Sequence, residues 1–217
     1  MGNGAVRLVV LGPPGAGKGT QAERVSRERR IPRISTGDIL RETVFGTTDV
    51  GRAARATMNA GRLVADDVMI GIVRERLART DAAQGFVLDG FPRTLLQAEC
   101  LDDMVDEPVP LIVVDIEVPE DTLLRRLSQR LICSACGTTA RGGASRCVKC
   151  GGTLVQRVDD DVEVIRERLR VYVSDTRSIV EFYRRRPTFR SVDGDQAEDL
   201  VAADIAAALA SAGRAGR

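Results

Sequence analysis

With 217 residues, 32 Lys and Arg against 31 Asp and Glu and a formal net charge of +1, the chain is long enough for one well-buried domain and lacks the excess charge of a protein that coats nucleic acid or membranes. Histidine is absent, which removes the commonest general base and the commonest nitrogen metal ligand, and no apolar run approaches the ~18–20 residues that span a bilayer. The opening residues, MGNGAVR, carry neither a signal-peptide pattern nor the hydroxyl expected at the sixth position of a myristoylation signal, so a soluble cytoplasmic protein is expected.

In chain order, Val6–Leu11 is an apolar run that ends in the turn GPPGAGKGT and feeds a helical pattern over Gly17–Arg29. That order surrounds a phosphate with backbone N–H groups at a helix start, and Lys18 places a positive charge where β- and γ-phosphates lie. Gly19 separates Lys18 from Thr20, so the hydroxyl that meets magnesium in the usual GxxxxGK[ST] pattern falls one place late. Further strands are predicted at Ile31–Ser35, Gly85–Asp89, Pro110–Glu117 and Thr188–Val192. Helices are predicted at Gly37–Val44, within Val50–Ala60, and at Asp66–Arg79, Thr94–Met104, Pro119–Arg130, Asp161–Arg186 and Ala197–Ala212. Short apolar strands alternating with helices imply an α/β protein whose parallel sheet is covered on both faces. The Asp161 helix is expected to stop at Pro187, and the Ala/Gly-rich tail after Ile205 to fray. Two stretches break the βα rhythm and read as inserts: 35–64, framed by STGDILR and GRLV, and 127–161, which holds four of the five cysteines. Inserts at the carboxyl ends of parallel strands stand where such sheets bind ligands, so both are candidate lids over a phosphate site.

The cysteines read Cys133-Ser-Ala-Cys136-Gly and Cys147-Val-Lys-Cys150-Gly. Each CxxCG wraps a turn that points two thiolates at one ion, and two such turns make a tetrahedral zinc site of four thiolates. Four sulfur ligands leave no open position, so this Zn2+ is expected to be structural. Cys100 stands apart and reads as a small core residue on a helix. In GFVLDGFPRT, Asp89 ends an apolar strand, where it can hold magnesium-bound waters, and Arg93 follows a proline-fixed turn, where it can clamp a phosphate bidentately. Arg126 and Arg130, four apart in a helical pattern, are expected to share a face, while Arg157 and Arg168 flank the Asp159-Asp160-Asp161 helix start. Arg125, Arg166 and Arg170 read as solvated charges.

LGPPGAGKGTQAE, STGDILR, GRLV, GFVLDGFPRTLLQAE, the paired CxxCG and QRVDDDVEVIRERL stand in the order and spacing of the adenylate kinase family. Over nearly its whole length the chain resembles the bacterial type with a zinc-bearing lid. The resemblance implies a five-stranded parallel P-loop NTPase core made of 1–34, 65–126 and 162–217, an AMP-binding insert at 35–64 and an ATP lid at 127–161. It also implies the reaction ATP + AMP = 2 ADP with Mg2+, nucleotides rather than nucleic acid or membrane as partners, and a monomer. Carried over by motif, Gly15, Ala16, Gly17, Lys18, Gly19 and Thr20 would hold the donor phosphates. Arg126 would stack on the ATP base and the Gln196 carbonyl would meet its edge. Thr36, Arg41, Gly61, Arg62, Leu63, Val64, Gly90, Arg93 and Gln97 would hold AMP, with Gln97 reading the adenine. Arg126, Arg130, Arg157 and Arg168 would close over the transferring group, Arg157 and Arg168 also touching AMP. The lid departs from the family pattern: Gly137–Arg146 is short and lacks a Tyr-His pair, Leu131 replaces an arginine and Gln129 a glycine. The nearest rivals are a kinase of another monophosphate or one using GTP. A ribbon that binds nucleic acid or protein on a nucleotide switch is the rival from another class; against it, the cysteine ribbon offers few basic residues beyond Arg141, Arg146 and Lys149 and no aromatic to stack bases.

Overall fold

The computed structural model describes residues 5–44, 49–105, 109–140 and 143–215; the MGNG start and Arg141 of the ribbon lie outside these. Strands β1 (Val6–Leu11), β2 (Arg33–Ser35), β3 (Gly85–Asp89) and β4 (Leu111–Glu117) belong to the main sheet. A separate antiparallel ribbon is formed by β5 (Leu131–Cys133), β6 (Thr139–Ala140) and β7 (Leu154–Gln156), in the order β6-β5-β7. Strand β8 (Phe189–Asp193) completes the main sheet, whose order is β2-β3-β1-β4-β8 with every pairing parallel. The five expected strands are therefore all present, in one sheet.

Alternation along the strands builds a core on each face of that sheet. Leu8, Val10, Val87, Ile112 and Val114 point to one side, and Val9, Leu11, Phe86, Leu88 and Val113 to the other. The first core is covered by α1 (Lys18–Arg29), α6 (Glu120–Ser128), α7 (Val162–Val171) and α9 (Glu198–Ala215). The second is covered by α2 (Thr36–Val44), α3 (Asp49–Asn59), α4 (Asp66–Leu77), α5 (Leu95–Met104) and α8 (Arg177–Arg184). Each fully buried Leu, Ile or Val side chain contributes ~1.5–3 kcal/mol, so both layers hold firm the strand ends that carry the site. Cys100 packs against the second core, as expected.

Three expectations are corrected. The tail does not fray after Ile205: α9 runs to Ala215, because Ala208, Leu209 and Ala212 are buried in the first core. Helix α6 ends at Ser128 with Gln129 as its cap, so Arg130 lies beyond the helix and shares no helical face with Arg126. The single helix expected over Asp161–Arg186 begins at Val162, where the Asp161 carboxylate caps the Glu163 N–H at 3.0 Å, and ends at Arg184, but it is interrupted by a π turn at Tyr172–Thr176. Ile165, Leu169, Tyr172, Thr176, Ile179 and Tyr183 succeed one another at alternating steps of four and three, which in an unbroken α-helix is one face. A π turn carries a surplus residue and rotates the helix beyond it. Ile165 and Leu169 accordingly pack in the first core, and Ile179, Val180 and Tyr183 in the second. Among the described residues no helix is long and apolar enough to cross a membrane.

Candidate active site

The turn after β1 passes so close to β4 that a Cβ on Gly12 would stand 2.7 Å from the Ile116 carbonyl oxygen, and Gly12 has φ 137°. Only glycine meets both demands. Gly15, Ala16, Gly17, Gly19 and Thr20 complete this turn and the first residues of α1, whose opening N–H groups have no partners within the helix. Lys18 curls back over the turn, donating from Nζ to the Gly12 and Pro13 carbonyls at 2.8 Å each. Burial pulls its pKa down to about 8, against the attraction of nearby Asp89. Asp89, 8% exposed at the end of β3, accepts from Arg33 at 2.8 Å, and the same guanidinium lies 3.1 Å from Asp38. Arg33 has no local motif to mark it; its role comes from β2 lying beside β3. Arg33 thus bridges Asp38 and Asp89, whose carboxylate oxygens are hard donors of the kind that hold the waters of a divalent cation.

Beside this turn opens a cleft on the carboxyl side of the sheet. It gathers Lys18, Arg41, Gly61, Arg62, Leu63, Gly90, Arg93, Arg157 and Arg168, drawn from stretches far apart in the chain. Arg93 is held on three sides: its Nε donates to the Gly90 carbonyl at 2.8 Å, its backbone N–H to Gln97 Oε1 at 2.8 Å, and its carbonyl accepts from Thr176 Oγ1 at 3.1 Å. Gly61, with φ 72°, lets the Arg168 stem pass where a Cβ would meet its Cγ at 3.0 Å. The arginines are neutralised by two aspartates that the sequence marks only as a helix start. Asp159 takes both arms of Arg157, at 2.8 and 2.6 Å, while Asp160 takes Arg130 through Nε at 2.7 Å and through a second, shorter contact. Arg168 donates to the Asp159 carbonyl at 2.9 Å and to Asp160 at 3.1 Å. Its burial lowers its pKa to about 10, which leaves it charged at neutral pH.

The remaining candidates lie off the cleft surface. Thr36 is buried behind it, with Oγ1 donating to the Gly90 carbonyl at 2.9 Å. Gln97, 1% exposed, sits behind Arg93, and Val64 comes after the lining residues Gly61, Arg62 and Leu63 without joining them. Arg126 and Gln196 lie elsewhere, at the turn that follows β8. There Arg126 donates to the Gly194 carbonyl at 2.9 Å, and Gln196 donates to the Asp193 carbonyl at 2.9 Å and to Asp204 at 2.6 Å.

In the ribbon, the sulfurs of Cys133 and Cys150 are 3.4 Å apart, those of Cys136 and Cys147 3.6 Å, and all four lie within 4.8 Å of one another. A tetrahedron of ~2.3 Å zinc–sulfur bonds has edges of about 3.8 Å, so the cluster fits a Zn2+.

The family model described as "Adenylate kinase" matches residues 10–188. The adenylate kinases of Archaeoglobus fulgidus and Moorella thermoacetica are each 46% identical to the chain over 212 residues, covering 94% of it and 98% of theirs. That of Nitrosococcus oceani is 43% identical over 217 residues, covering 95% of the chain and all of the relative.

Proposed function

Since this chain belongs to the adenylate kinase family and is thereby a phosphotransferase acting on nucleoside monophosphates, we propose that its reaction is ATP + AMP = 2 ADP with Mg2+. The observation that carries this reading is the convergence of Lys18, Arg41, Arg93, Arg157 and Arg168 on one cleft beside a glycine turn at a helix start. Phosphoryl transfer passes through a loose transition state with charge on the equatorial oxygens, so a protein accelerates it by positioning and cations rather than by a strong base. The lack of histidine is then no obstacle.

In this reading Gly15–Thr20 and Lys18 hold the β- and γ-phosphates of ATP, and Arg41 and Arg93 hold the AMP phosphate in line with them. Gly61, Arg62, Leu63, Val64, Gly90, Thr36 and Gln97 form the rest of the AMP site. Arg157 and Arg168 face the transferring group, and a phosphate entering the cleft shares them with Asp159 and Asp160. Arg130 joins them through Asp160, while Arg126 and Gln196 take the ATP base at the far edge. Asp38 and Asp89 would hold the waters of a magnesium ion bound with ATP, which would neutralise charge across the phosphates, and Cys133, Cys136, Cys147 and Cys150 would hold a zinc ion that staples the ribbon. The segments 35–64 and 127–161 are the proposed AMP insert and ATP lid, whose closure excludes water that would otherwise accept the phosphoryl group.

A coupled assay of ADP formation with AMP, CMP, UMP or GMP as acceptor and ATP or GTP as donor tests this. The expected result is a clear preference for AMP with ATP. A stronger reaction with another monophosphate, or with GTP, would replace the substrate assignment.

A further inference from the structure

We propose that Asp66 is a positioning residue that fixes which way round the Gln97 amide faces, and so lets the acceptor site tell a 6-amino purine from a 6-oxo purine. The inference rests on the reading of Gln97 as the residue that meets the acceptor base.

Asp66 is the first residue of α4 and comes just after the 61–64 segment. Its Oδ1 accepts from Gln97 Nε2 at 2.7 Å and its Oδ2 accepts from Thr94 Oγ1 at 3.0 Å. At the other end of the amide, Gln97 Oε1 accepts from the Arg93 backbone N–H at 2.8 Å. An ionised carboxylate can only accept and a backbone N–H can only donate. A turned amide would set oxygen against carboxylate at one end and NH2 against N–H at the other. Gln97 is 1% exposed, so water does not relieve a turned amide either. The charge-assisted half of this lock comes from Asp66.

Orientation matters because the two purines are mirror images in hydrogen-bonding terms. Adenine offers an acceptor at N1 and an amino donor at C6, whereas hypoxanthine offers an N1–H donor and an acceptor at O6. Beyond its contacts to Asp66 and Arg93, the amide retains one N–H and one lone pair. Held one way round, that pair matches only one of the two bases.

The test compares kcat/KM for AMP and for IMP, with ATP as donor, in Asp66→Ala, Asp66→Asn, Thr94→Ala and Gln97→Ala. Asp66→Ala is expected to cut the AMP:IMP ratio at least tenfold, chiefly through KM for AMP, with kcat changed far less. Asp66→Asn, which still offers an acceptor to Nε2, should retain most of the ratio. Thr94→Ala removes the α5 cap and the other Asp66 contact, so it should lower Tm while leaving the ratio in place; this separates orientation from stability. If Asp66→Ala does not fold, Asp66→Val, which likewise offers no acceptor to Nε2, carries the same expectation. A ratio unchanged in Asp66→Ala but collapsed in Gln97→Ala would overturn the positioning role alone. A ratio unchanged in Gln97→Ala would overturn base reading by Gln97, and the inference with it.

Discussion

Arg168 and Arg170 are two residues apart on one helix, yet their surroundings assign them opposite work. Arg168 turns into the cleft, where Asp159 and Asp160 hold it, whereas Arg170 is exposed and pairs with Glu167 on the same helix at 2.7 and 2.8 Å. Exposed pairs of that kind contribute little, while a cation against a transferring phosphoryl group is worth ~10³–10⁵ in rate. Arg168→Ala should therefore lower kcat/KM by ~10³ or more, and Arg170→Ala by no more than a few-fold, in steady-state assays with AMP and ATP. Comparable losses in the two variants would remove Arg168 from the site. At this scale the sequence was informative about kind and silent about partner. Lys18, Arg93 and the cysteines were legible because glycine, proline and CxxC spacing fix local geometry around them. Arg33 across from Asp89, Asp66 across from Gln97, and Asp159 as the acceptor for Arg157 were not, since such pairings arise from neighbouring strands or competing turns rather than from local periodicity.

Among the elements, the ribbon has the least to hold it together. Its three strands are two or three residues long, and within β5 only Cys133 is buried. A sheet that small lacks the apolar burial to order itself, so the Cys133, Cys136, Cys147 and Cys150 cluster must supply the difference. Chelation should release about one zinc per chain and lower Tm, with the dependence on magnesium intact. Activity lost with no change in Tm would indicate a catalytic metal instead. The ribbon was readable from cysteine spacing, and the main helices from their apolar periodicity. The end of α6 was not, because Leu127 keeps the pattern up to a helix end that Gln129 sets by its own backbone angles.

On the scale of the whole molecule, one carboxylate works against the fold. Asp115 in β4 is 4% exposed, and its Oδ1 has no hydrogen-bond partner among the described residues. Burial, with Glu117 adding to it, pushes its pKa from 3.8 up to about 6. The folded chain thus binds this proton more tightly than the unfolded chain, so Asp115 costs stability progressively as pH rises through that interval and costs it fully above the upper value. Asp115→Asn should raise Tm at pH 8, by ~2–4 °C for each kcal/mol regained, and the gain should vanish below pH 4. An unchanged or lower Tm at pH 8 would show that the charge is compensated. The parallel sheet and its two covered faces were open to inference, since short apolar strands alternating with helices admit few arrangements. The π turn at Tyr172–Thr176 was hidden by the regular stripe running through it. Because it places the two halves of that stripe in different cores, what this segment must conserve is its number of residues rather than their identity. Deleting one residue would leave composition and hydrophobicity almost unchanged, yet turn α8 by about 100° and aim Ile179 and Tyr183 away from the layer they fill.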